Sequence, residues 1–394
     1  MQYIFLIIIL FCTIRLHSAE GVFFTNVNSP VYDSRENIRN ALKKVADLGL
    51  KIVYPCVWNK NHAFWKSKTV ENTLGNSSIS AYGSRDILQE FIEEAAPLGL
   101  SIVPWFEYGL KVVLTKGKSA KTTEWVTSGK IFESRGWLTK KRNGTAAMPL
   151  KWGVQKGFLN PNHPEVIEFL TSIMDELVSY NVDGVLIDDH FSIKSGYGYD
   201  SHSNKLSDSL NKNVFFPSRN KLITNSISEL LILISSVVRA SNKQFILSPA
   251  GDLNFSKGKW NQDWYRVVQS GAVDKLLLQI YRYNLRGFKQ LVNDHNFKNS
   301  AKYSELGVII LSGLHNNTRM SAKLISSQVS HARSKGLIPS YFYYDSLLRP
   351  ARGKESSSLR IESMRKLLKV SSEKDSLNSP AVELNSDLTF EDLL

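Results

Sequence analysis

The chain has 394 residues, of which 42% are hydrophobic and 11% aromatic, and it carries a formal net charge of +13. This composition excludes a disordered chain, and the length fits one large domain or two ordinary ones. The charge is uneven, because residues 371–394 carry six acids and one lysine, which leaves +18 on residues 1–370. A basic body can attract an anionic polymer, and a solvated lysine-rich surface is the alternative. No helix-turn-helix, zinc-finger or RNP pattern is present, so no nucleic acid partner is expected.

The first 19 residues predict an export signal. An uncharged, mostly apolar run extends from Tyr3 to Ile14 and is followed by Arg15 and the small residues Ser18 and Ala19. This run is short for a membrane span. We therefore expect a periplasmic or extracellular protein, with an uncleaved membrane anchor as the alternative. Without the signal, Cys56 is the only cysteine, which excludes an intramolecular disulfide and suggests a small buried hydrophobic side chain.

A near-repeat sets the predicted order of elements. Leu48-Gly-Leu-Lys-Ile-Val53 and Leu98-Gly-Leu-Ser-Ile-Val103 each follow an amphipathic stretch and begin a short apolar run. A helix, a glycine turn and a buried strand form the unit of a parallel sheet. The same rhythm predicts strands near 22–27, 51–57, 101–106, 183–188, 244–248, 274–281, 306–311 and 338–343. It predicts helices near 35–47, 85–97, 164–180, 219–241, 260–270, 285–294, 320–335 and 355–369.

Eight strands alternating with eight helices predict an α/β fold, a (β/α)8 TIM barrel formed by a single domain over residues 20–370. A doubly wound open sheet is the alternative, but no Gly-x-Gly-x-x-Gly follows the first strand. The segments after the strands are long, at 58–83, 107–163 and 189–217, and active sites of such barrels lie on these loops. Residues 371–394 are predicted to be an acidic, disordered tail.

The fourth predicted strand ends in two acids, within Asp183-Gly-Val-Leu-Ile-Asp-Asp-His190. Side chains alternate along a strand, so Asp188 shares the direction of Leu186 and points towards the inner mouth of the barrel. A charged pair at the end of a buried strand is costly unless it is solvated, paired or functional. Asp188 is therefore the first catalytic candidate and Asp189 the second, with a salt bridge or cap at the strand end as the structural alternative.

The third strand ends in Val103-Pro-Trp-Phe-Glu-Tyr-Gly109, in which Trp105 and Glu107 share a face. An aromatic ring beside a carboxylate is a common arrangement for binding a sugar. Glu107 is therefore the candidate partner acid, unless it forms a structural pair with a basic residue, and Trp105 is a candidate for contact with substrate. Two carboxyl groups hydrolyse a glycosidic bond when one donates a proton and the other attacks carbon or activates water.

Further candidates for substrate contact follow other strands or precede the fourth. Each has a structural alternative, such as a helix cap or packing at the barrel rim. They are Trp58, Asn160, His190, Asp252, Gln279, Tyr281, Arg282 and Asp345. The sequence contains no His-x-x-x-His, His-Glu-x-x-His or Gly-x-Ser-x-Gly pattern, so we predict no metal site, no cofactor and no serine nucleophile. His190 beside the aspartates is the weak alternative as a metal ligand.

These motifs together resemble the bacterial glycosyl hydrolase-like family ten, a barrel family distinct from the similarly numbered xylanases. The resemblance covers about residues 21 to 350 and includes Phe64-Trp-Lys-Ser-Lys68, Ala95 to Glu107, Phe158-Leu-Asn-Pro161, Asp183 to Phe191, Ser248-Pro-Ala250 and Val273-Asp274 with Gln279-Ile-Tyr281. It implies a hydrolase of bacterial envelope or related polysaccharides, with the fourth-strand aspartate as the principal catalytic residue. Two positions depart from the family: Ala19-Glu20 replaces an arginine, and Asp345 replaces a glutamate.

The sequence therefore leads to a main hypothesis and two alternatives. The main hypothesis is an exported glycoside hydrolase that acts on a polysaccharide, with peptidoglycan glycan strands favoured because their sugars carry carboxylates. The first alternative is a glycan-binding barrel that has lost turnover, which the Asp345 substitution motivates. The second is a basic envelope protein that binds anionic lipid or nucleic acid. A loose association with the envelope fits the basic charge, and the sequence predicts no oligomeric state.

Overall fold

The computed structural model describes residues 19–75, 82–116, 124–151, 153–210, 218–314, 319–349 and 355–369. The predicted signal segment, apart from Ala19, and the predicted acidic tail lie outside these ranges, so both remain predictions.

Eight parallel strands close into a barrel in the described part of the chain. The first strand pairs with both the second and the last, because Val22 lies opposite Val53 on one side and Tyr341 on the other. The strands are Gly21–Phe24, Ile52–Asn59, Ser101–Ile102 continued by Trp105–Phe106, Gly184–Asp188, Gln244–Ser248, Lys275–Ile280, Glu305–Leu311 and Ile338–Phe342. This arrangement confirms the predicted (β/α)8 barrel.

The barrel strands are apolar because both of their faces are covered. Every residue of the strand Gly184–Asp188 is buried, and so is every residue of Lys275–Ile280. The third strand is interrupted between Ile102 and Trp105, where Pro104 lacks the N–H that a regular ladder requires. It still pairs on both sides, with the second strand and with the fourth.

Helices surround the barrel and cover its outer face. Side-chain caps fix several of their starts; for example, Ser34 accepts a hydrogen bond from the Asn37 N–H at 3.1 Å. The α-helices are Arg35–Asp47, Lys68–Leu74, Ile87–Ala95, Glu124–Ser134, Pro164–Ser179, Ser201–Leu210, Arg219–Ala240, Leu253–Trp260, Trp264–Gln269, Leu285–Val292, His295–Asn299, Ala322–Ser334, Tyr344–Leu347 and Ser357–Lys369. Short 3₁₀ turns lie at Val31–Asp33, Ala96–Leu98 and Ser300–Lys302.

The helix Arg219–Ala240 is the one helix, among the described residues, that is long and apolar enough to cross a membrane. Its apolar side chains contact the helix Pro164–Ser179 and the strand Gln244–Ser248. It therefore belongs to the helical layer of the barrel.

The loop after the third strand contains structure that the sequence did not predict. An antiparallel hairpin, formed by Lys111–Lys116 and Val154–Phe158, lies there, and the helix Glu124–Ser134 packs on its first strand. A second short addition is the strand His62–Ala63, which pairs antiparallel with the end of the second barrel strand. These additions build up the wall of the barrel on the side where the active sites of such barrels lie.

The helix predicted near 260–270 is two helices in the structure. The first is Leu253–Trp260, which ends at Asn261 with a left-handed φ of 54°, and the second is Trp264–Gln269. A residue with this conformation cannot continue a right-handed helix, and asparagine tolerates it better than most side chains.

Candidate active site

The candidate site lies at the mouth formed by the carboxyl ends of the strands. Asp188 is the last residue of the fourth strand, Glu107 directly follows the third, and Gln279 lies near the end of the sixth. Parallel strands bring these ends to one face of the barrel. Oxygens of Asp188 and Asp189 lie within 4.8 Å of each other, and Glu107 follows the neighbouring third strand, whose Trp105 donates to Asp188.

Asp188 is held from two directions. Its Oδ2 accepts a hydrogen bond from the Trp105 indole N–H at 2.8 Å, and its Oδ1 accepts one from the His190 backbone N–H at 2.9 Å. Asp188 is only 2% exposed, which agrees with an inward direction for its side chain. Burial raises the pKa of Asp188 well above its ordinary value, and the neighbouring charges of Asp189 and Glu107 raise it further.

Asp189 is partly exposed at the mouth and is oriented by Gln279. The Gln279 side-chain amide donates to Asp189 Oδ1 at 2.9 Å, and the same nitrogen donates to the Ser248 carbonyl at 2.9 Å. Burial raises the pKa of Asp189, while Lys111 and the Gln279 hydrogen bond act in the opposite direction. Gln279, predicted to contact substrate, therefore also fixes the position of a candidate catalytic group.

Glu107 is held by two residues of the second strand. Its Oε2 accepts hydrogen bonds from the Asn59 amide and, at 3.4 Å, from the Cys56 thiol. Cys56 is buried, as predicted, and it is also a hydrogen-bond donor in the site. Burial raises the pKa of Glu107 to about 7, against the influence of Lys60, Lys156 and Lys111. Among the three acids, Glu107 is therefore the one that gains or loses its proton near neutral pH.

Two lysines of the hairpin were not recognised from the sequence. Lys111 is only 4% exposed, and its ammonium lies 5.2 Å from the centre of the Trp260 ring. Burial lowers the pKa of Lys111 to about 7, and the charge of Lys156 acts in the same direction. The ammonium of Lys156 lies 5.1 Å from the centre of the Tyr108 ring and 3.1 Å from its hydroxyl oxygen. A lysine in a sequence is usually interpreted as a solvated surface residue. Only the alternation of side chains along the two strands of the hairpin could have indicated that Lys111 and Lys156 share a face.

Three predicted substrate contacts lie around the acids. His190 and Tyr281 are partly exposed, and their rings lie 5.3 Å from the rings of Tyr108 and Phe342, respectively. Arg282 is also partly exposed, and its guanidinium donates to the Tyr281 carbonyl at 2.9 Å. These residues are placed where a substrate at the mouth could reach them.

Both predicted tryptophan contacts lie inside the protein. Trp58 is fully buried and stacks on Phe106 with ring centres 5.2 Å apart, so the structure does not bring it to the mouth. Trp105 is 4% exposed and lies inside the barrel, 5.3 Å from the ring of Phe23. Its indole N–H points to Asp188, so its contribution to the site is a hydrogen bond and not an exposed stacking face.

Asn160, Asp252 and Asp345 have structural partners. Asn160 is fully buried and donates to Asp200 at 2.6 Å. Asp252 caps the helix Leu253–Trp260 through the Phe255 N–H at 3.0 Å. Asp345 is buried beside Arg349, with an N–O distance of 3.3 Å. These contacts explain the three residues by local structure and bring none of them into the acid group.

One group of side chains in the described chain has the composition of a cation site. Asp188, Asp189 and His190 each offer one ligand atom, and these atoms lie within 4.8 Å of one another. Burial lowers the pKa of the His190 imidazole well below its ordinary value, so the ring is neutral at pH 7. Both oxygens of Asp188 already accept N–H donors, whereas the buried Nδ1 of His190 has no hydrogen-bond partner among the described residues.

Comparison with known protein families gives one match. The family described as "Glycosyl hydrolase-like 10" matches residues 18–330. A curated relative, the glycosyl hydrolase DigH of Escherichia coli K12, is 26% identical over 239 residues, which are 57% of this chain and 51% of the relative. The chain thus spans about half the length of the curated relatives that it matches.

Solved structures show the same fold at low identity. A β-N-acetylhexosaminidase from Bacteroides fragilis superposes with a TM-score of 0.54 at 10% identity, covering 89% of this chain and 66% of that one. An α-amylase from Lactobacillus plantarum gives a TM-score of 0.53 at 12% identity, covering 90% of this chain and 79% of that one. At such identities the superposition shows a shared barrel fold and says nothing about the reaction that this chain catalyses.

Proposed function

Since the chain belongs to the glycosyl hydrolase-like 10 family, we propose that it is a glycoside hydrolase that cleaves O-glycosyl bonds at the mouth of its barrel. One observation carries the proposal, namely the position of Glu107, Asp188 and Asp189 at the carboxyl ends of two paired strands. Paired carboxyl groups are the machinery that glycoside hydrolysis requires.

The roles follow from the environments of the acids. Glu107 keeps its proton up to about pH 7, so it is the general acid that protonates the departing glycosidic oxygen. The aspartate pair supplies the carboxylate that attacks the sugar carbon or activates water. Asp188 is the principal candidate because two N–H donors stabilise its ionised form, and Asp189 is the alternative because it is more exposed.

The proposed substrate is a polysaccharide of the bacterial envelope, with peptidoglycan glycan strands favoured. The net charge of +18 on residues 1–370 supports an anionic polymer. The apolar run from Tyr3 to Ile14 supports export to the compartment where such a polymer is found. Fractionation of cells that produce the chain, with detection in the periplasm or medium, tests the export.

The test of activity compares the wild type with Glu107→Gln, Asp188→Asn and Asp189→Asn on peptidoglycan glycan strands and on neutral glucans. Asp175→Asn, on the exposed face of the helix Pro164–Ser179, is the matched control. We expect new reducing ends from the wild type and the control, and losses of about 10²-fold or more for Glu107→Gln and the essential aspartate.

Different outcomes separate the hypotheses. Full activity of Asp188→Asn with loss in Asp189→Asn moves the catalytic role to Asp189. Tight binding of a glycan by calorimetry, with no new reducing ends after long incubation, supports the binding protein instead. Equal product release from the wild type and all three variants would remove the acids from the mechanism.

A further inference from the structure

The hairpin presents two lysines on one face beside the acids. Lys156 lies directly opposite Val113 in the antiparallel ladder, and Lys111 lies two residues before Val113 on the same strand. Opposite residues share a face, as do residues two apart, so Lys111 and Lys156 are diagonal neighbours on one face. Their mutual electrostatic effect agrees with this placement.

The ammonium of Lys111 is buried and lacks an acceptor. It forms no hydrogen bond or ion pair with any residue in the described part of the chain; its contact is with the face of Trp260. A buried ammonium is costly without an anionic or hydrogen-bonding partner. Lys156 has one partner, the Tyr108 hydroxyl, which leaves ammonium donors of Lys156 for a further acceptor.

The two lysines are not explained as direct ion-pair partners of the three acids. Neither lysine lies within 4.0 Å of a carboxylate in the described residues, although Lys111 and Lys156 both influence Glu107 electrostatically. The His190 ring lies 3.8 Å from Asp188, but this contact is not an ion pair because the ring is neutral. The two ammonium groups instead lie over the aromatic faces of Trp260 and Tyr108, contacts that occupy none of the N–H donors with a carboxylate.

From this geometry we infer that Lys111 and Lys156 form an anion subsite, which binds a carboxylate carried by the glycan next to the bond that is cleaved. The inference rests on the proposed glycosidase function and deepens it, because it assigns the residues that distinguish an acidic glycan from a neutral one. Lys111 is the specificity-determining residue at the buried end of the subsite. Lys156 holds the same carboxylate from the partly exposed end.

The experiment uses one polymer in two forms. The probes are peptide-free glycan strands of peptidoglycan, whose lactyl carboxylates are free, and the same strands after chemical reduction of those carboxylates to alcohols. We expect the wild type to prefer the acidic form by about tenfold or more in kcat/KM, as for a charge-assisted hydrogen bond. Lys111→Met and Lys156→Met should lose this preference, mainly through KM.

Two further variants control the result. Lys156→Arg keeps the positive charge and should retain most of the preference, while Lys43→Met removes an exposed lysine from the helix Arg35–Asp47 and should behave as the wild type. A preference that survives unchanged in both methionine variants of the subsite, or a wild type that treats the two forms equally, overturns the inference.

Failure of the proposed glycosidase function gives a different result from failure of the anion subsite. If the wild type turns over neither form, the glycosidase proposal fails, and calorimetric titration of the two forms then tests the subsite by itself. Tighter binding of the acidic form by the wild type, lost in Lys111→Met, still supports the subsite. Equal binding of both forms rejects it.

Discussion

The central feature at the scale of single residues is a group of three buried or partly buried acids at the mouth of the barrel. Burial raises the pKa of Asp188, Asp189 and Glu107, and the charges of Asp189 and Glu107 raise the pKa of Asp188 further. A group of this kind keeps a proton at neutral pH, which is what acid catalysis of glycoside cleavage needs. The proton is best assigned to Glu107, because burial raises its pKa to about 7 and its ionised form is therefore favoured only above that pH.

The pH dependence of activity follows from the direction of this shift. A raised pKa means that Glu107 is protonated, and so active as an acid, below about pH 7 and loses its proton as the pH rises through that value. We expect kcat/KM of the wild type on a carboxyl-reduced glycan, whose binding does not depend on the charge of Lys111, to fall tenfold per pH unit above about pH 7. Glu107→Gln should have a low rate that lacks this alkaline decline, measured by initial rates from pH 5 to 9. An alkaline limb that persists in Glu107→Gln would assign the proton to another group.

Individual side chains were predictable where one strand determines their direction. Alternation from Leu186 places Asp188 inward, and the structure agrees, since its carboxylate meets the indole of Trp105, whose ring packs against Phe23 and Phe342 inside the barrel. Trp105 also points inward, yet the sequence does not reveal that its indole donates to an acid on another strand. Lys111 and Lys156 were missed because 44 residues separate them and only the hairpin brings them together.

At the scale of elements, the barrel strands were predictable because each is a short apolar run between a glycine turn and polar residues. Their bounds differ from the predictions by a few residues, and Pro104 explains the break in the third. The hairpin was not predictable in the same way. Its strands, Lys111–Lys116 and Val154–Phe158, mix charged and apolar residues, and their pairing depends on a contact across the intervening chain.

The close packing of the helix Glu124–Ser134 against this hairpin can be tested by substitution. A Cβ added to Gly129, in the helix Glu124–Ser134, would lie 2.5 Å from Leu114 Cα, where the backbone cannot easily move. We expect Gly129→Ala to lower the free energy of unfolding by about 1–3 kcal/mol, as overpacking does. Urea unfolding followed by circular dichroism measures the change.

A second helical glycine provides the control. Gly258, in the helix Leu253–Trp260, has no atom within 4 Å of the position that a Cβ would take. Gly258→Ala should therefore raise the free energy of unfolding by up to about 1 kcal/mol, because alanine loses less conformational entropy in a helix. If the two variants change stability in the same direction and by similar amounts, the close approach at Gly129 is not what positions the hairpin.

At the scale of the whole molecule, the barrel is closed by a part of the chain beyond the family match. The match ends at residue 330, whereas the last strand is Ile338–Phe342 and pairs with the strands on both sides of it. The helix Ser357–Lys369 then covers this region, in contact with the helix Ala322–Ser334. The closure of the active-site mouth therefore depends on how firmly this last segment is attached.

Arg360 attaches it. Its side chain is fully buried and donates to the carbonyls of Leu347 and Met320, both at 2.7 Å, and it pairs with Glu355 at 3.0 Å. Arg360→Met leaves the two carbonyls without their donor and removes the cation from the Glu355 carboxylate, which keeps the Ala322 N–H as a donor. We therefore expect a loss of about 3–5 kcal/mol in the free energy of unfolding. Arg365→Met, on the exposed side of the same helix, should change it by less than about 0.5 kcal/mol. Thermal and urea unfolding of both variants checks the difference, and equal stabilities would mean that the terminal helix is not needed to hold the barrel closed.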